Sequence, residues 1–289
     1  MKKTLLAAAL FATGGSAFAG NFYLDPGVNY DAPVTAPAMD KVCDTCTSMK
    51  DEFLFVYDSQ TTIFDFDANG IDAGDGVSTN GGLAVSGFDI TGLSTSAITG
   101  FTPNEAFGAN SNNGYGGSNW QVSFSISNLL GTVTGVTGAD VPLLAYGSGL
   151  LELFITTDGV TFNNFMDINV AGAVTDGVGT LMGGTADFTN VDAGFNDLFH
   201  SGDKTCNGSD SFFDIWTNCG ESMPIDFIGH FDTAVHVADF TNNQDGTFTV
   251  ETNHDGSGTY NIPEPSTVAL LGGSLLLMGA MSRRKSKKS

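Results

Sequence analysis

The sequence predicts an all-β fold, an antiparallel β-sandwich-like single domain, for the central part of the chain. Short apolar–polar alternations are the first reason, and in Gln121–Ser127 every second residue is apolar. No long segment shows the 3.6-residue period of an amphipathic helix. Asp-Gly pairs are the second reason, because each favours a tight turn. These pairs stand at 75–76, 158–159, 176–177, 245–246 and 255–256.

The expected strands are short apolar or alternating runs between these turns. They are Glu52–Tyr57, Ile63–Asp67, Gln121–Ser127, Leu150–Thr156, Phe212–Trp216 and Thr247–Glu251. The segment 229–240 is expected to be a further strand, which carries both His230 and His236. The 23 phenylalanines should fill much of the core between the strands.

The first 19 residues have the three parts of a secretory signal peptide. Lys2 and Lys3 form a basic start, Thr4–Ala12 is apolar, and Ala17–Ala19 fits the cleavage pattern. The apolar run is too short to span a bilayer. We therefore expect an N-terminal signal helix that is removed before Gly20, with the Sec translocon and signal peptidase as transient partners.

Charge divides the chain into an acidic body and basic ends. Residues 20–262 hold 31 of the 32 acidic residues and three of the ten basic ones, a net charge of −28. Nucleic acid is excluded as a partner, because its phosphates require a basic surface. A domain this acidic is expected to tolerate salt and to attract divalent cations.

Four cysteines in an exported chain predict two disulfides. We expect Cys43 to pair locally with Cys46, and Cys206 with Cys219 across a Gly/Asn/Ser-rich loop. The two other pairings and a zinc site stay open at this point. Zinc is the weaker alternative, because the second pair lacks the CxxC spacing of the first.

An acidic stretch between two expected strands is the candidate metal site. Oxygen-bearing residues at positions one, three and five and Gly70 at position six match the first half of an EF-hand calcium loop. Position twelve is Gly76 instead of Glu, so a neighbouring carboxylate has to substitute. We favour an acidic turn without an ion between the two strands, and a calcium site is the alternative. The candidate calcium ligands are Asp65, Asp67, Asn69, Ile71, Asp72 and Asp75.

Catalytic motifs do not stand out in the sequence. There is no nucleophile elbow and no zinc-protease motif, and pairs among 26 aspartates are expected by chance. His200 and His254 are expected in loops. Trp120, Trp216 and Tyr115 are either a sugar-stacking platform or, as we favour, core aromatic residues. The sequence therefore predicts a protein that is not an enzyme.

The last 27 residues have three distinct parts. Pro263, Glu264 and Pro265 form an extended segment, because proline restricts itself and the residue before it. The span 266–282 is uncharged and would be about 25 Å long as a helix, which is marginal for a bilayer core of about 30 Å. Five basic residues in 283–288 keep the end in the cytosol and leave the body outside.

This three-part tail, residues 263–289, resembles the PEP-CTERM sorting domain of exopolysaccharide-producing Gram-negative bacteria. The resemblance implies recognition of Pro263, Glu264 and Pro265 by an exosortase, a membrane cysteine protease-transpeptidase. It implies that the chain is transiently anchored in the inner membrane through 266–282 and then passes to the cell envelope, outer surface or extracellular matrix. The body is also similar in texture to flocculation-associated PEP-CTERM proteins, which implies a role in cell aggregation.

Three segments result: a signal peptide at 1–19, an acidic β-rich exported domain at 20–262 and a sorting signal at 263–289. We predict a structural or interaction protein of the matrix or biofilm, with exopolysaccharide or other matrix components as partners. No cofactor is certain, and Ca²⁺ is the one that the acidic loop would take. The alternative is a secreted β-sandwich protein that binds or hydrolyses polysaccharide.

Overall fold

The structure is a computed structural model of the 289-residue chain. It describes residues 20–27, 41–83, 96–102, 120–156, 161–175, 179–232 and 236–262, with strand 96–102 described by its backbone alone. The predicted signal peptide and the sorting signal lie outside the described residues. Within the described residues, no helix is long and apolar enough to span a membrane.

Strands make up most of the described part of the chain. In order they are β1 Phe22–Leu24, β2 Glu52–Phe64, β3 Gly76–Gly82, β4 Ser96–Thr102, β5 Gln121–Val136, β6 Pro142–Thr156, β7 Asn163–Thr175, β8 Gly179–Asp187, β9 Phe199–Ser201, β10 Asp226–Asp232, β11 Thr241–Asn242 and β12 Thr247–Asn261. The described α-helix, α1, is Phe212–Cys219, and short 3₁₀ turns follow at Gly220–Ser222 and Val237–Asp239. The prediction of a mostly β, antiparallel fold is confirmed.

Ten of these strands form one sheet in the order β11-β12-β10-β8-β7-β6-β5-β3-β2-β4, in which every pairing is antiparallel. A further pairing joins β12 to β2, from Thr247 opposite Phe64 to Gly258 opposite Phe53. The sheet therefore closes on itself. β3 pairs with the second half of β2 and β4 with the first half, so the two short strands share one position in the ring.

The core lies inside the closed sheet and contains many aromatic rings. Phe55 of β2 packs against Phe124 of β5 and Phe231 of β10, with ring centroids 5.4 and 4.9 Å apart. Val122, Phe124 and Ile126 all point inward, as the alternation in β5 predicts. The strands are held by this shared interior, because each buries its apolar face against strands from the other side of the ring.

Three of the expected strands differ in the structure. Phe212–Trp216 is not a strand but the first part of α1, which buries Phe212 and Ile215 on one face. A five-residue segment with four apolar residues does not distinguish a strand from a helical turn, and the tertiary contacts decide. Glu52–Tyr57 and Ile63–Asp67 are not separate strands, because β2 runs unbroken from Glu52 to Phe64 and leaves residues 65–67 in the following loop.

The Asp-Gly pairs have different outcomes. Gly246 has a φ of 87° in the turn between β11 and β12, as expected of a turn glycine. Gly256 instead lies inside β12, and the predicted turn there is wrong. A Cβ atom at Gly256 would collide with the carbonyl oxygen of His230 and the ring of Phe55, so the glycine permits close packing. The pairs at 158–159 and 176–177 lie outside the described residues.

The predicted long strand with two histidines is also shorter than expected. β10 ends at Asp232, and His236 precedes the 3₁₀ turn Val237–Asp239. The His236 backbone N–H donates to the Asp239 carboxylate at 2.8 Å, which favours the turn over an extended strand. The two histidines therefore belong to different elements.

Candidate functional site

The acidic loop 65–75 connects β2 to β3. Its backbone takes positive φ values at Ala68 (60°), Gly70 (103°) and Gly74 (114°). These left-handed positions curl the chain, so that side chains along the loop turn toward a common centre. The order Asp, Asn and Gly in this stretch is the reason that the chain can make the curl.

Backbone N–H groups hold the Asp65 carboxylate at the start of the loop. Oδ1 accepts the N–H of Ala68 at 2.7 Å, and Oδ2 accepts that of Gly70 at 3.0 Å. Desolvation raises the pKa of Asp65, but these hydrogen bonds outweigh it and hold the pKa below its usual value. Asp65 is therefore a charged anchor for the curl.

Asp75 closes the loop from its other end and is only 2% exposed. Its carboxylate accepts the N–H of Phe66 at 3.3 Å and that of Asp72 at 3.0 Å. The Asn69 side-chain amide donates to the Asp67 and Asp72 carboxylates at 2.9 and 3.0 Å. Each acidic side chain of the loop therefore has a hydrogen-bond donor within the loop.

Three of the predicted ligands converge. One oxygen each from Asp65, Asp67 and Asp75 lie within 4.8 Å of one another. Desolvation, followed by the nearby charge of Asp72, raises the pKa of Asp67 above its usual value. Such a set of carboxylate oxygens suits a divalent cation. The Ile71 side chain packs against the core, which leaves its carbonyl as its ligand atom.

The cysteines form the two disulfides that the sequence predicts, Cys43–Cys46 and Cys206–Cys219. The second connects the turn after β9 to the last residue of α1. One sulfur each of Cys43 and Cys46 lies near a carboxylate oxygen of Asp25. Disulfide sulfurs are not thiolate ligands, so the zinc alternative is not supported.

The aromatic platform does not form from the residues that the structure describes. Trp120 is 1% exposed and belongs to the core, as favoured. Trp216 packs on Phe188 and Phe213, with centroid distances of 5.7 and 6.4 Å. Tyr115 lies outside the described residues.

A row of carboxylates crosses the outer face of the sheet, and the sequence did not reveal it. Glu152 of β6 lies opposite Asp167 of β7, which lies opposite Asp187 of β8. Ser125 of β5 extends the row and donates to Glu152 at 3.0 Å. Only the strand register brings these residues together, because they are at least 15 positions apart in sequence.

The pKa values of Asp167, in the middle of the row, and of Asp187, at its end, are displaced in opposite directions. Burial raises the pKa of Asp167. The Asn164 amide, which donates to this carboxylate at 2.7 Å, lowers the pKa, and the charges of Glu152 and Asp187 raise it. Desolvation also acts on Asp187, but Thr189 donates its hydroxyl at 2.6 Å and its N–H at 2.8 Å, and the pKa falls. In this respect Asp167 and Asp187 resemble the paired carboxyl groups of an acid–base site, in which the surroundings displace the two pKa values in opposite directions.

Two histidines expected in loops lie in strands. His200 belongs to β9, stacks on Tyr23 at 4.7 Å and lies 3.2 Å from the Asp210 carboxylate. His254 belongs to β12 and points into the closed sheet, with 7% exposure. The alternation of residues along β12 is a sequence signal for the inward position of His254. The adjacent Asp255–Gly256 pair instead suggested a turn.

Comparisons with family models, with curated proteins and with solved structures find no match for this chain. Function must therefore be inferred from residues and geometry. The acidic loop is the place where the sequence pattern and the arrangement of side chains coincide.

Proposed function

We propose that this chain is exported and sorted as a PEP-CTERM substrate, and that its acidic, mostly β body is a structural or interaction component of the cell envelope or matrix. The observation that carries the proposal is the presence of two disulfides in the body. Disulfides form and persist outside the reducing cytosol. This agrees with a signal peptide at one end and a sorting signal at the other.

The start of the sorting motif directly follows the folded body. β12 ends at Asn261, and the side chain of Ile262 is buried against the core. Pro263 is the next residue in the chain. An exosortase that cuts near Pro263–Pro265 would release nearly the whole body, without its membrane span.

The surface charge supports a role among matrix polymers. A body with a net charge of −28 repels acidic polysaccharide unless cations lie between them. The converging oxygens of Asp65, Asp67 and Asp75 offer a place for such a cation. In this proposal the protein is a non-enzymatic partner of exopolysaccharide, with Ca²⁺ as its bridging ion.

The sorting step is tested with the variant Glu264→Ala/Pro265→Ala, with Thr267→Ala as the matched control. Intact mass spectrometry of envelope, medium and membrane fractions reports both ends of the mature chain. We expect wild type and control to begin near Gly20 and to end near Pro265. The double variant should stay uncleaved in the membrane, and its normal processing would refute the sorting role.

The matrix role is tested separately by deletion of the gene. Aggregation and biofilm mass should fall in the deletion strain and return with the wild-type gene. Unchanged aggregation in the deletion strain would count against the role, whatever the sorting experiment shows.

A second candidate function is hydrolysis or binding of polysaccharide. The opposite pKa displacements of Asp167 and Asp187 favour it, since glycoside hydrolysis pairs a protonated with an ionised carboxyl group. Incubation of the purified protein with exopolysaccharides would show release of reducing ends, which Asp167→Asn should abolish. Release that persists in this variant would exclude the pair.

A further inference from the structure

A cavity of about 50 Å³ lies inside the closed sheet. It is near the end where β6 and β8 begin and where β7 and β10 end, and Phe240 lies at its edge. Strands from all sides of the ring contribute to its wall. It is therefore a property of the closed sheet and not of a single loop.

The described wall of this cavity contains no carboxylate, ammonium or guanidinium group. Its described lining includes no Asp, Glu, Lys or Arg, although residues 20–262 contain 31 acidic residues. The polar groups that face it are hydroxyls and one imidazole, set among apolar side chains such as Ile126, Leu129 and Met182. Such a lining disfavours ions, because a charge inside it would lose its hydration without a counter-charge.

Three hydroxyls in the wall form a chain. Thr61 Oγ1 lies 2.8 Å from Thr79 Oγ1, which lies 2.8 Å from the Tyr146 hydroxyl. Burial raises the pKa of Tyr146 to about 12, so the phenol keeps its proton at neutral pH. Each hydroxyl carries one proton and can also accept, so these three groups present acceptor oxygens to the cavity beyond their mutual contacts.

A second polar group lies beside the first. Ser59 Oγ and Thr252 Oγ1 lie 2.7 and 2.6 Å from His254 Nε2, and the Tyr57 ring stacks on the imidazole at 4.8 Å. Each hydroxyl can both donate and accept. The wall thus offers donors and acceptors together with apolar surface, which is the chemistry of a molecule that carries both C–H and O–H groups.

We propose that this cavity binds a small, uncharged, hydroxyl-bearing molecule, either a free polyol or the hydroxymethyl arm of a sugar at a glycan end. The cavity volume limits the size of the bound molecule. One water takes about 10–15 Å³ of such space, so the cavity holds roughly four water-sized groups. A molecule of the size of glycerol fills it. The site is independent of the sorting signal and of the acidic loop.

The test is a titration of the full chain, followed by the imidazole nitrogen resonances of its four histidines. The His254 signal is assigned as the one missing from His254→Gln. The probes are glycerol for a free polyol, a methyl hexopyranoside for a glycan end and glycerol phosphate as the charged control. We expect a saturable shift of the His254 signal with at least one neutral probe and none with glycerol phosphate.

Variants in the wall connect the shift to the cavity. Thr61→Val and Thr79→Val each remove one hydroxyl and should weaken binding about three- to tenfold. Thr62→Val, one residue along on the outer face of β2, should leave binding unchanged. Thr61 and Thr79 are on different strands, so a folding defect in one variant leaves the other as the test.

Each outcome decides one part of the proposal. A response to glycerol alone supports a free polyol, and a response to the hexopyranoside alone supports a glycan end. No saturable shift with either neutral probe would mean that the cavity holds water only and would overturn the proposal. Equal binding of glycerol phosphate, or equal affinity in folded Thr61→Val and Thr79→Val, would also overturn it.

Discussion

Asp167 lies directly opposite Asp187 in the register of β7 and β8, and the pKa values of the two carboxyl groups are displaced in opposite directions. Both residues belong to the same outward row, but only Asp187 has strong donors from a following turn. Burial and local hydrogen bonds displace the pKa values of these two neighbouring acids in opposite directions. The pair therefore predicts opposite effects of neutralisation on stability.

Asp167→Asn should stabilise the folded state at pH 7. A raised folded-state pKa means that the charged form is a penalty, which is present in full above that pKa and is relieved as the pH falls through it. Neutralising a carboxylate between two others should raise the free energy of unfolding by about 0.2–1 kcal/mol. Urea unfolding at pH 7 and pH 4 measures this, and the gain should shrink at the lower pH.

Asp187→Asn is the matched control with the opposite sign. A lowered folded-state pKa means that the charged carboxylate stabilises the folded state. This stability is fully present above the unfolded-state pKa and is lost as the pH falls through the folded-state pKa. We expect a loss of about 0.5–1.5 kcal/mol at pH 7 as the Thr189 hydrogen bonds weaken. Equal effects of the two variants would contradict the assignment.

Calcium should stabilise the domain through the acidic loop. A bound ion would offset the repulsion among Asp65, Asp67 and Asp75, and a hundredfold excess over the dissociation constant adds about 2.7 kcal/mol. Magnesium should do less, because it keeps its own waters and prefers a stricter octahedron. Thermal unfolding in EDTA, calcium and magnesium at equal ionic strength measures the difference.

The control for the calcium site removes the same charge elsewhere. Asp65→Ala/Asp67→Ala should abolish the calcium-specific shift, whereas Asp44→Ala/Asp51→Ala, which changes two exposed acids, should retain it. Equal shifts with both ions that survive the loop variant would indicate general screening. The loop would then be a hydrogen-bonded turn only.

Gly256→Ala should destabilise the fold although the change is small. The new methyl group would meet the His230 carbonyl and the Phe55 ring, and overpacking of this kind costs about 1–3 kcal/mol. Gly147→Ala in β6, where nothing lies within 4 Å of the added atom, should be neutral or gain up to about 1 kcal/mol. Thermal unfolding of both variants compares them, and similar behaviour would argue against close packing at Gly256.

The two disulfides should contribute unequally to stability. Cys206 and Cys219 are 13 residues apart, for which the chain-entropy estimate is about 3 kcal/mol, against about 2 kcal/mol for the separation of 3 between Cys43 and Cys46. Paired serine substitutions and thermal unfolding measure each loss. Peptide mapping without reductant should find no free thiol, and free Cys43 and Cys46 with bound zinc would contradict the Cys43–Cys46 bridge.

Several features of the fold were predictable from local sequence. The alternation in Gln121–Ser127 correctly identified inward residues of β5, and Asp245–Gly246 correctly marked a turn. Phe212–Trp216 was misassigned, because the burial of Phe212 and Ile215 on one helical face depends on the core that receives them. The turn assigned to Asp255–Gly256 failed because glycine serves close packing as well as turns.

Of the candidate sites, one was predictable from the local sequence and the others were not. The spacing Asp65, Asp67, Asn69 and Gly70 identified the acidic loop, because its ligand pattern is local in sequence. The carboxylate row was not predictable, and neither was the contact of His254 with Ser59. Each joins residues from strands that are distant in sequence. Their assembly depends on register, and a shift of one residue would turn every side chain to the other face.

By itself, the sequence determined the acidic charge of the body, its β character and the pattern of its two end segments, and it favoured one cysteine pairing among three. These are properties of composition and of neighbours along the chain. Only the tertiary structure decided that β12 pairs with β2 and closes the sheet. An open and a closed sheet bury the same alternating residues, so periodicity does not distinguish them, and the choice depends on the twist and packing of all the strands together.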